Sequence, residues 1–125
     1  MTLRQSSGQT RAEKAELLRE IGSERILVKD GPYGSMIQSY RLTEDDYRGG
    51  LDLGHDQKGN NDLLALTRPH VLAEITEAYL KAGSDIVSTN TFNASAISQA
   101  DYGAEHLVRD LNIASAQIAR DALRR

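Results

Sequence analysis

The chain has 125 residues, of which 39% are hydrophobic and 26% charged, and its formal net charge is −3. This composition indicates one globular domain at most, without the basic surface of a nucleic-acid-binding protein and without the roughly 20-residue apolar stretch that crosses a bilayer. The lack of cysteine excludes disulfides, thiol nucleophiles and thiolate metal ligands from this sequence. We therefore expect a cytoplasmic protein with no nucleic-acid or membrane partner.

The first predicted elements are a disordered leader, a helix and a short strand. Residues 1–9 are polar and form the leader. Thr10 and Glu13 have the spacing of a capping box, in which the threonine side chain accepts from the third helical amide and the glutamate reaches back. This helix is predicted to end at Gly22, because glycine often follows the last helical residue. Residues 26–28 are apolar on both faces, as in a strand covered by helices.

The middle of the chain is predicted to hold a long loop, a helix and a second strand. Residues 36–40 are expected to form a helical turn, and residues 41–66 to lack regular structure. The next helix starts near Pro69, whose missing N–H costs nothing in a first turn, and ends at Gly83. Residues 85–89 form the second predicted strand. The buried face of the helix carries Val71, Leu72, Ile75, Ala78, Tyr79 and Ala82 at helical spacing.

Two further helices are predicted, one over residues 94–101 and one over residues 105–123, with Gly103 between them. A strand, a helix and a strand in this order predict parallel pairing with a right-handed crossover. The expected fold class is therefore α/β. Two strands cannot form a sheet that covers two layers of helices, so we expect the chain to be part of something larger or to find strands in a partner.

Polar residues follow both predicted strands. Asp30 and Gly31 come directly after the first, where a carboxylate could accept from a substrate ammonium and glycine would let a ligand approach the backbone; a simple turn is an equally open interpretation. Thr89 and Asn90 follow the second, where their side chains can bind a carboxylate or an amino group but cannot act as strong bases at neutral pH. A hydrogen-bonded loop is the alternative there.

No catalytic or metal-binding set can be assembled from the other polar residues. The three histidines, His55, His70 and His106, and the aspartates near His55 match no metal-ligand spacing. No Ser-His-Asp arrangement can be argued from their positions. We therefore predict no catalytic residue and no metal ligand in this chain.

Several segments together resemble the homocysteine methyltransferase domain of cobalamin-dependent methionine synthases, over about residues 15–123. The Lys-Gly-Asn-Asn-Asp and Ala-Asp-Tyr-Gly segments are the more specific ones for this branch of the family. The segments are residues 25–28 (Arg-Ile-Leu-Val) with Asp30 and Gly31, residues 47–49 (Tyr-Arg-Gly), residues 58–64 (Lys-Gly-Asn-Asn-Asp-Leu-Leu), residues 89–93 (Thr-Asn-Thr-Phe-Asn) and residues 100–103 (Ala-Asp-Tyr-Gly).

The resemblance implies a fold, a reaction and two cofactors. The fold would be the N-terminal portion of a (β/α)8 TIM barrel, with about two strands and their helices forming a partial homocysteine-binding domain over residues 10–125. In the complete enzyme, zinc held by three cysteines binds homocysteine as a thiolate, which accepts a methyl group from methylcobalamin on another domain. By the same resemblance, Asp30 and Gly31 would hold the amino-acid end of homocysteine, Thr89 would contribute from the second strand, and Asn90 is a weaker candidate.

The chain departs from the family pattern at both strand ends and in its cysteines. Lys29 replaces an apolar residue, residues 32–35 read Pro-Tyr-Gly-Ser in place of Ala/Gly-Met-Gly-Thr, and Ser88 replaces a glutamate. These changes leave open whether Lys29, Pro32, Tyr33 and Ser88 tune substrate binding or abolish it. The zinc cysteines of the family lie on later strands, so we expect neither zinc nor cobalamin on this chain alone.

Two functions remain open at this point. The first is one part of a methionine synthase domain that binds homocysteine, inactive alone and dependent on the remaining barrel strands or a methionine synthase partner chain. The second is a non-catalytic remnant, a binding or oligomerisation module derived from that barrel. Both predict exposed apolar strand edges and hence a possible homo-oligomer.

Overall fold

The computed structural model describes residues 8–124 and shows a largely helical chain. The predicted leader over residues 1–9 falls mostly on residues 1–7, which lie outside the described residues. The α-helices of the described part are α1 (Arg11–Glu24), α2 (Gly34–Gln38), α3 (Glu44–Arg48), α4 (Leu64–Thr67), α5 (Pro69–Ala82), α6 (Ala96–Ala100) and α7 (Val108–Arg124), with 3-10 turns at Asn61–Leu63 and Glu105–Leu107.

The predicted α/β class, a portion of a TIM barrel, is wrong for this structure. Helices account for 60% of the described residues and strand for 2%, and residues 8–124 contain no sheet. The two predicted strands, residues 26–28 and 85–89, meet only in one parallel bridge between Lys29 and Ile86. Their apolar side chains are also uncovered, since Ile26 is 87% exposed and Val28 51% exposed.

Two aspartates explain why the pairing stops at a single bridge. The Asp30 N–H donates to the Ile86 carbonyl at 3.0 Å, and the Ile86 N–H donates to the Val28 carbonyl at 3.2 Å. On one side of this bridge the Val28 N–H donates to the Asp85 carboxylate (2.9 Å), and on the other the Ser88 N–H donates to the Asp30 carboxylate (2.8 Å). Because aspartate side chains accept from these two N–H groups, the groups do not bond to carbonyls of a neighbouring strand, and the ladder does not continue.

The first helix begins as the sequence predicts. Thr10 Oγ1 accepts from the Glu13 N–H at 3.2 Å, and the Glu13 carboxylate accepts from the Thr10 N–H at 3.1 Å, which confirms the capping box. The helix continues past the predicted end at Gly22 to Glu24. Helix α5 likewise has Pro69 in its first turn and ends before Gly83, which has a φ of 112°.

The prediction of an irregular segment over residues 41–66 is wrong, because α3, a 3-10 turn and the start of α4 lie within it. Thr43 and Asp46 form a second capping box, with the Thr43 hydroxyl accepting from the Asp46 N–H and the Asp46 carboxylate accepting in return. Gly49 then ends α3 in the left-handed conformation, with a φ of 59°. This short helix fixes the start of the loop that leads to the candidate site.

The core lies where α5 packs against α7 and where α4 contacts both helices. The predicted apolar face of α5 is confirmed for Val71, Leu72 and Ile75, which are almost completely buried, but it is wrong for Ala78 and Ala82, which are exposed. No helix within residues 8–124 is long and apolar enough to span a membrane. One buried cluster contains Ile37, Tyr47, Leu64, Ala65, Val71, Leu72 and Ile75, and a smaller one contains Leu53, Leu63, Ala104 and Leu111.

The ion pair between Arg25 and Asp85 gives the fold a predicted pH dependence. Two hydrogen bonds of 2.6 and 2.7 Å from Arg25, together with the Val28 N–H, lower the pKa of Asp85 to about 2. Because the folded pKa lies below the unfolded value of about 3.9, this stabilisation is present above pH 4 and is lost as the pH falls toward 2. We expect Arg25→Met to lower the melting temperature at pH 7, and the difference from wild type to shrink between pH 4 and pH 2.

The control for this measurement is Arg19→Met. Arg19 donates one hydrogen bond of 3.1 Å to Glu16 on α1, and both side chains are more than half exposed. Its effect should be small at every pH because exposed pairs contribute little. A melting-temperature difference for Arg25→Met that stays constant from pH 7 to pH 2 would contradict the assignment.

Candidate functional site

The candidate site is a cavity of about 440 Å³ bordered by three loop segments. Its volume lies in the range of pockets for small molecules, roughly 300–1,000 Å³. The segments are residues 32–34 at the start of α2, residues 59–62 before α4, and residues 89–93 before α6, and Tyr102 completes the wall.

Helix α3 positions the segment over residues 59–62. The Glu44 carboxylate accepts from the backbone N–H groups of Gln57 (2.7 and 2.8 Å) and Lys58 (2.6 Å). These backbone hydrogen bonds, with the Arg48 guanidinium, lower the pKa of Glu44. Arg48 also donates to the carbonyl groups of Leu53 and His55. The two side chains of α3 therefore hold the loop that leads to the cavity.

Three buried amides join the loop to α6. Asn60 Nδ2 donates to Gln57 Oε1 at 3.1 Å and to Gln99 Oε1 at 2.9 Å, and Gln99 Nε2 donates back to Asn60 Oδ1 at 3.0 Å. The second hydrogen of Gln99 Nε2 binds the Asn93 carbonyl (3.0 Å), and Gln57 Nε2 binds the carbonyl groups of His55 and Tyr102. Every amide N–H in the network has a partner, so the network fixes two walls of the cavity.

The segment over residues 89–93 is held against the loop by direct contacts. Asn90 Nδ2 donates to the Asn61 carbonyl at 2.9 Å, and the Asn93 N–H donates to Asp62 Oδ2 at 2.9 Å. The hydroxyl groups of Thr89 and Thr91 lie 2.7 Å apart. Polar side chains from segments about 30 residues apart in the sequence thus line one cavity.

Asp62 is a buried carboxylate in this wall, with 4% of the residue exposed. Burial raises its pKa, and the hydrogen bond from Asn93 opposes this only in part. The ionised form is therefore less stable in the folded chain than in water. Because the folded pKa lies above the unfolded value, ionised Asp62 costs folding stability at neutral pH.

The structure places two of the four predicted site residues in the cavity wall. Thr89 and Asn90 line it, whereas Asp30 and Gly31 do not. The Asp30 side chain is completely buried and accepts from the Ser88 N–H (2.8 Å), from Ser88 Oγ (3.2 Å) and from Lys29 Nζ (3.1 Å). The role of all four as homocysteine ligands stays a prediction.

Gly31 accommodates a tyrosine. A Cβ at this position would lie 2.8 Å from the Tyr79 hydroxyl oxygen, which donates to the Pro32 carbonyl at 2.7 Å. The close approach that the sequence suggested for a ligand is thus made here by a side chain of α5.

Three of the residues that depart from the family pattern, Lys29, Tyr33 and Ser88, lie around Asp30. Lys29 and Ser88 both donate to the Asp30 carboxylate, and the Tyr33 hydroxyl lies 3.2 Å from the Ser88 carbonyl oxygen and 2.8 Å from Thr76 Oγ1. Burial raises the pKa of Tyr33. Lys29, Tyr33 and Ser88 are therefore linked by hydrogen bonds through the Asp30 carboxylate and the Ser88 carbonyl group.

Sequence reasoning omitted Asn60, Asn61 and Asp62 from the site residues, although it noted their motif. Three consecutive amide and carboxylate side chains directly before a helix are the signal that could have identified them, because binding residues are often found on loops. Gln99 gave no such signal, because a glutamine in a short helix is ordinarily exposed.

Comparison with known families supports the resemblance seen in the sequence. The family model described as Homocysteine S-methyltransferase matches residues 27–125. The chain belongs to the homocysteine S-methyltransferase family. The matched range includes all three segments of the cavity, and membership indicates methyl transfer to homocysteine as the reaction class. This confirms the predicted family, and the methionine synthase branch stays a prediction.

The residues of this homocysteine S-methyltransferase family member do not fit a thiolate-bound zinc ion. The sequence has no cysteine, and residues 8–124 contain no group of three or more His, Asp or Glu side chains that could hold a metal ion. Zinc bound by nitrogen or oxygen alone would need such a group.

Proposed function

We propose that this chain binds homocysteine for methyl transfer from methylcobalamin in methionine synthesis. The observation that carries the proposal is the cavity of about 440 Å³ whose three walls all lie within the range matched by the homocysteine S-methyltransferase family. Its size suits an amino acid, and a corrinoid would be presented by another domain. The cytoplasmic location stays a prediction.

The lining suits the polar end of an amino acid. Thr89 and Asn90 offer a hydroxyl and an amide, and Asp62 offers a carboxylate. Tyr33 and Tyr102 supply aromatic surface beside these groups, against which an aliphatic thiol chain can pack. In this proposal the chain holds and orients homocysteine, and the groups that activate its sulfur come from outside this chain.

Calorimetric titration of the purified 125-residue chain with L-homocysteine under reducing conditions tests the proposal. We expect saturable binding of one homocysteine per chain. Thr89→Val keeps the side-chain shape but removes one hydrogen-bonding group, so it should weaken binding about fivefold, which corresponds to about 1 kcal/mol.

The matched control is Thr67→Val, because Thr67 lies on α4 and does not line the cavity. Its affinity for homocysteine should equal that of the wild-type chain. Absence of homocysteine binding by the wild-type chain would overturn the proposed function.

One observation favours the second function, a binding or oligomerisation module. Ile26, Val28 and Ile86 are 87%, 51% and 38% exposed, and clustered apolar exposure is typical of surfaces that associate. A stable dimer in sedimentation velocity, together with no affinity for homocysteine, would favour this alternative over substrate binding.

A further inference from the structure

The charge of the cavity depends on one side chain. Among the described residues that line it, Asp62 is the one carboxylate, and none is lysine, arginine or histidine. The cavity therefore favours a ligand that carries a positive charge close to Asp62.

Within residues 8–124, Asp62 lacks a paired cation and differs in this respect from Asp30 and Asp85, the other two aspartates whose side chains are largely buried. Asp85 is paired with Arg25, and Asp30 with Lys29, whereas within residues 8–124 Asp62 forms no ion pair. Its hydrogen bond from a neighbouring residue comes from the neutral Asn93 N–H, on Oδ2. A buried carboxylate without a counter-charge is costly unless a ligand supplies that charge.

In the observed arrangement, the Asp30 carboxylate cannot bind a cationic group of a ligand in the cavity. Its side chain is completely buried, it does not line the cavity, and both carboxylate oxygens accept hydrogen bonds from Ser88. A substrate ammonium would have to displace Ser88 and Lys29 to reach it.

We propose that Asp62 binds the ammonium group of an α-amino-acid substrate. This rests on the proposed function, since homocysteine is such an amino acid. Asp62 Oδ1 would accept from the ammonium while Oδ2 keeps the Asn93 N–H. Charge-assisted hydrogen bonds of this kind are among the stronger ones in proteins.

The test compares two ligands on two variants. L-homocysteine carries the ammonium, and 4-sulfanylbutanoate is the same chain without it. We expect Asp62→Asn to weaken L-homocysteine binding roughly 10- to 100-fold, the range for a hydrogen bond to a charged group, and to leave 4-sulfanylbutanoate binding unchanged. Asp56→Asn, which removes the same charge from an exposed loop residue, should change neither affinity.

Stability provides a second measurement. An asparagine at position 62 can still accept from the Asn93 N–H and carries no buried charge, so the melting temperature of Asp62→Asn should equal or exceed that of wild type at pH 7. A merely structural role for Asp62 predicts a lower melting temperature and equal losses for both ligands.

The outcomes separate this inference from the proposed function. If wild type binds L-homocysteine and Asp62→Asn binds it equally well, the role of Asp62 is overturned and the proposed function stands. Equal weakening of both ligands would also overturn the role. If the wild-type chain binds no homocysteine, the proposed function fails and the role of Asp62 fails with it.

Discussion

Replacing Gln99 by methionine is expected to lower the free energy of unfolding by about 3 kcal/mol, because unpaired buried polar groups cost about 1–3 kcal/mol each. Methionine keeps the length of the side chain but cannot donate or accept the same bonds. The substitution would leave Asn60 Nδ2, Asn60 Oδ1 and the Asn93 carbonyl each without one partner. Urea denaturation of the two chains measures the difference.

Gln117→Met is the matched control. Gln117 lies on the exposed side of α7 and donates to Asp121 at 2.7 Å. The same chemical change there should alter stability by less than about 0.5 kcal/mol, as is usual for exposed sites. If both variants have equal stability, the amide network does not contribute to the fold as we describe.

Gly49→Ala should also destabilise the chain strongly, by about 2–4 kcal/mol, from backbone strain and from a clash. Gly49 ends α3 with a φ of 59°, a conformation that costs any residue with a Cβ. A Cβ there would lie 2.8 Å from both Cβ and Cγ2 of Thr67 on α4. Because Thr67 is branched next to its backbone, it cannot move aside without shifting α4.

The neighbouring Gly50 separates the two causes. Its φ is 88°, but a Cβ added there would meet no atom within 4 Å. Gly50→Ala should therefore show the strain without the clash, about 1–2 kcal/mol. A loss for Gly49→Ala no larger than that for Gly50→Ala would show that the contact between α3 and α4 is looser than the structure describes.

Local signals in the sequence were sufficient to predict the long helices α1 and α5. The capping box of Thr10 and Glu13, Pro69 at the start of α5 and Gly83 after it each act within one turn. Helix α3 was missed because it is only five residues long and has aspartate in place of glutamate in its capping box. Its start at Thr43 could have been recognised by the same rule.

Pairing of distant segments could not be read from the sequence in the same manner. Residues 26–28 and the pair Ile86-Val87 are apolar, as in strands, but the partners of the Val28 and Ser88 amides lie 57 and 58 residues away, in Asp85 and Asp30. Which acceptor such an amide meets depends on the whole fold and not on local propensity. For this reason the two segments form one bridge and not the sheet that the sequence predicted.

The candidate site was half predictable. Thr89 and Asn90 were found because a polar run follows an apolar one, and both line the cavity. Asp30 follows the same rule, yet its carboxylate is engaged by Ser88 and Lys29. Asp62 is buried and its pKa is raised by that burial, and the local sequence signals neither property.

The central claim, that the cavity holds homocysteine, is tested most directly by mapping the binding site on the 125-residue chain. A two-dimensional 1H–15N spectrum recorded during titration with L-homocysteine reports on each backbone amide. The account predicts saturable shifts concentrated in residues 59–62 and 89–93, with little change in α1. No shifts, or shifts confined to residues outside the cavity, would contradict it.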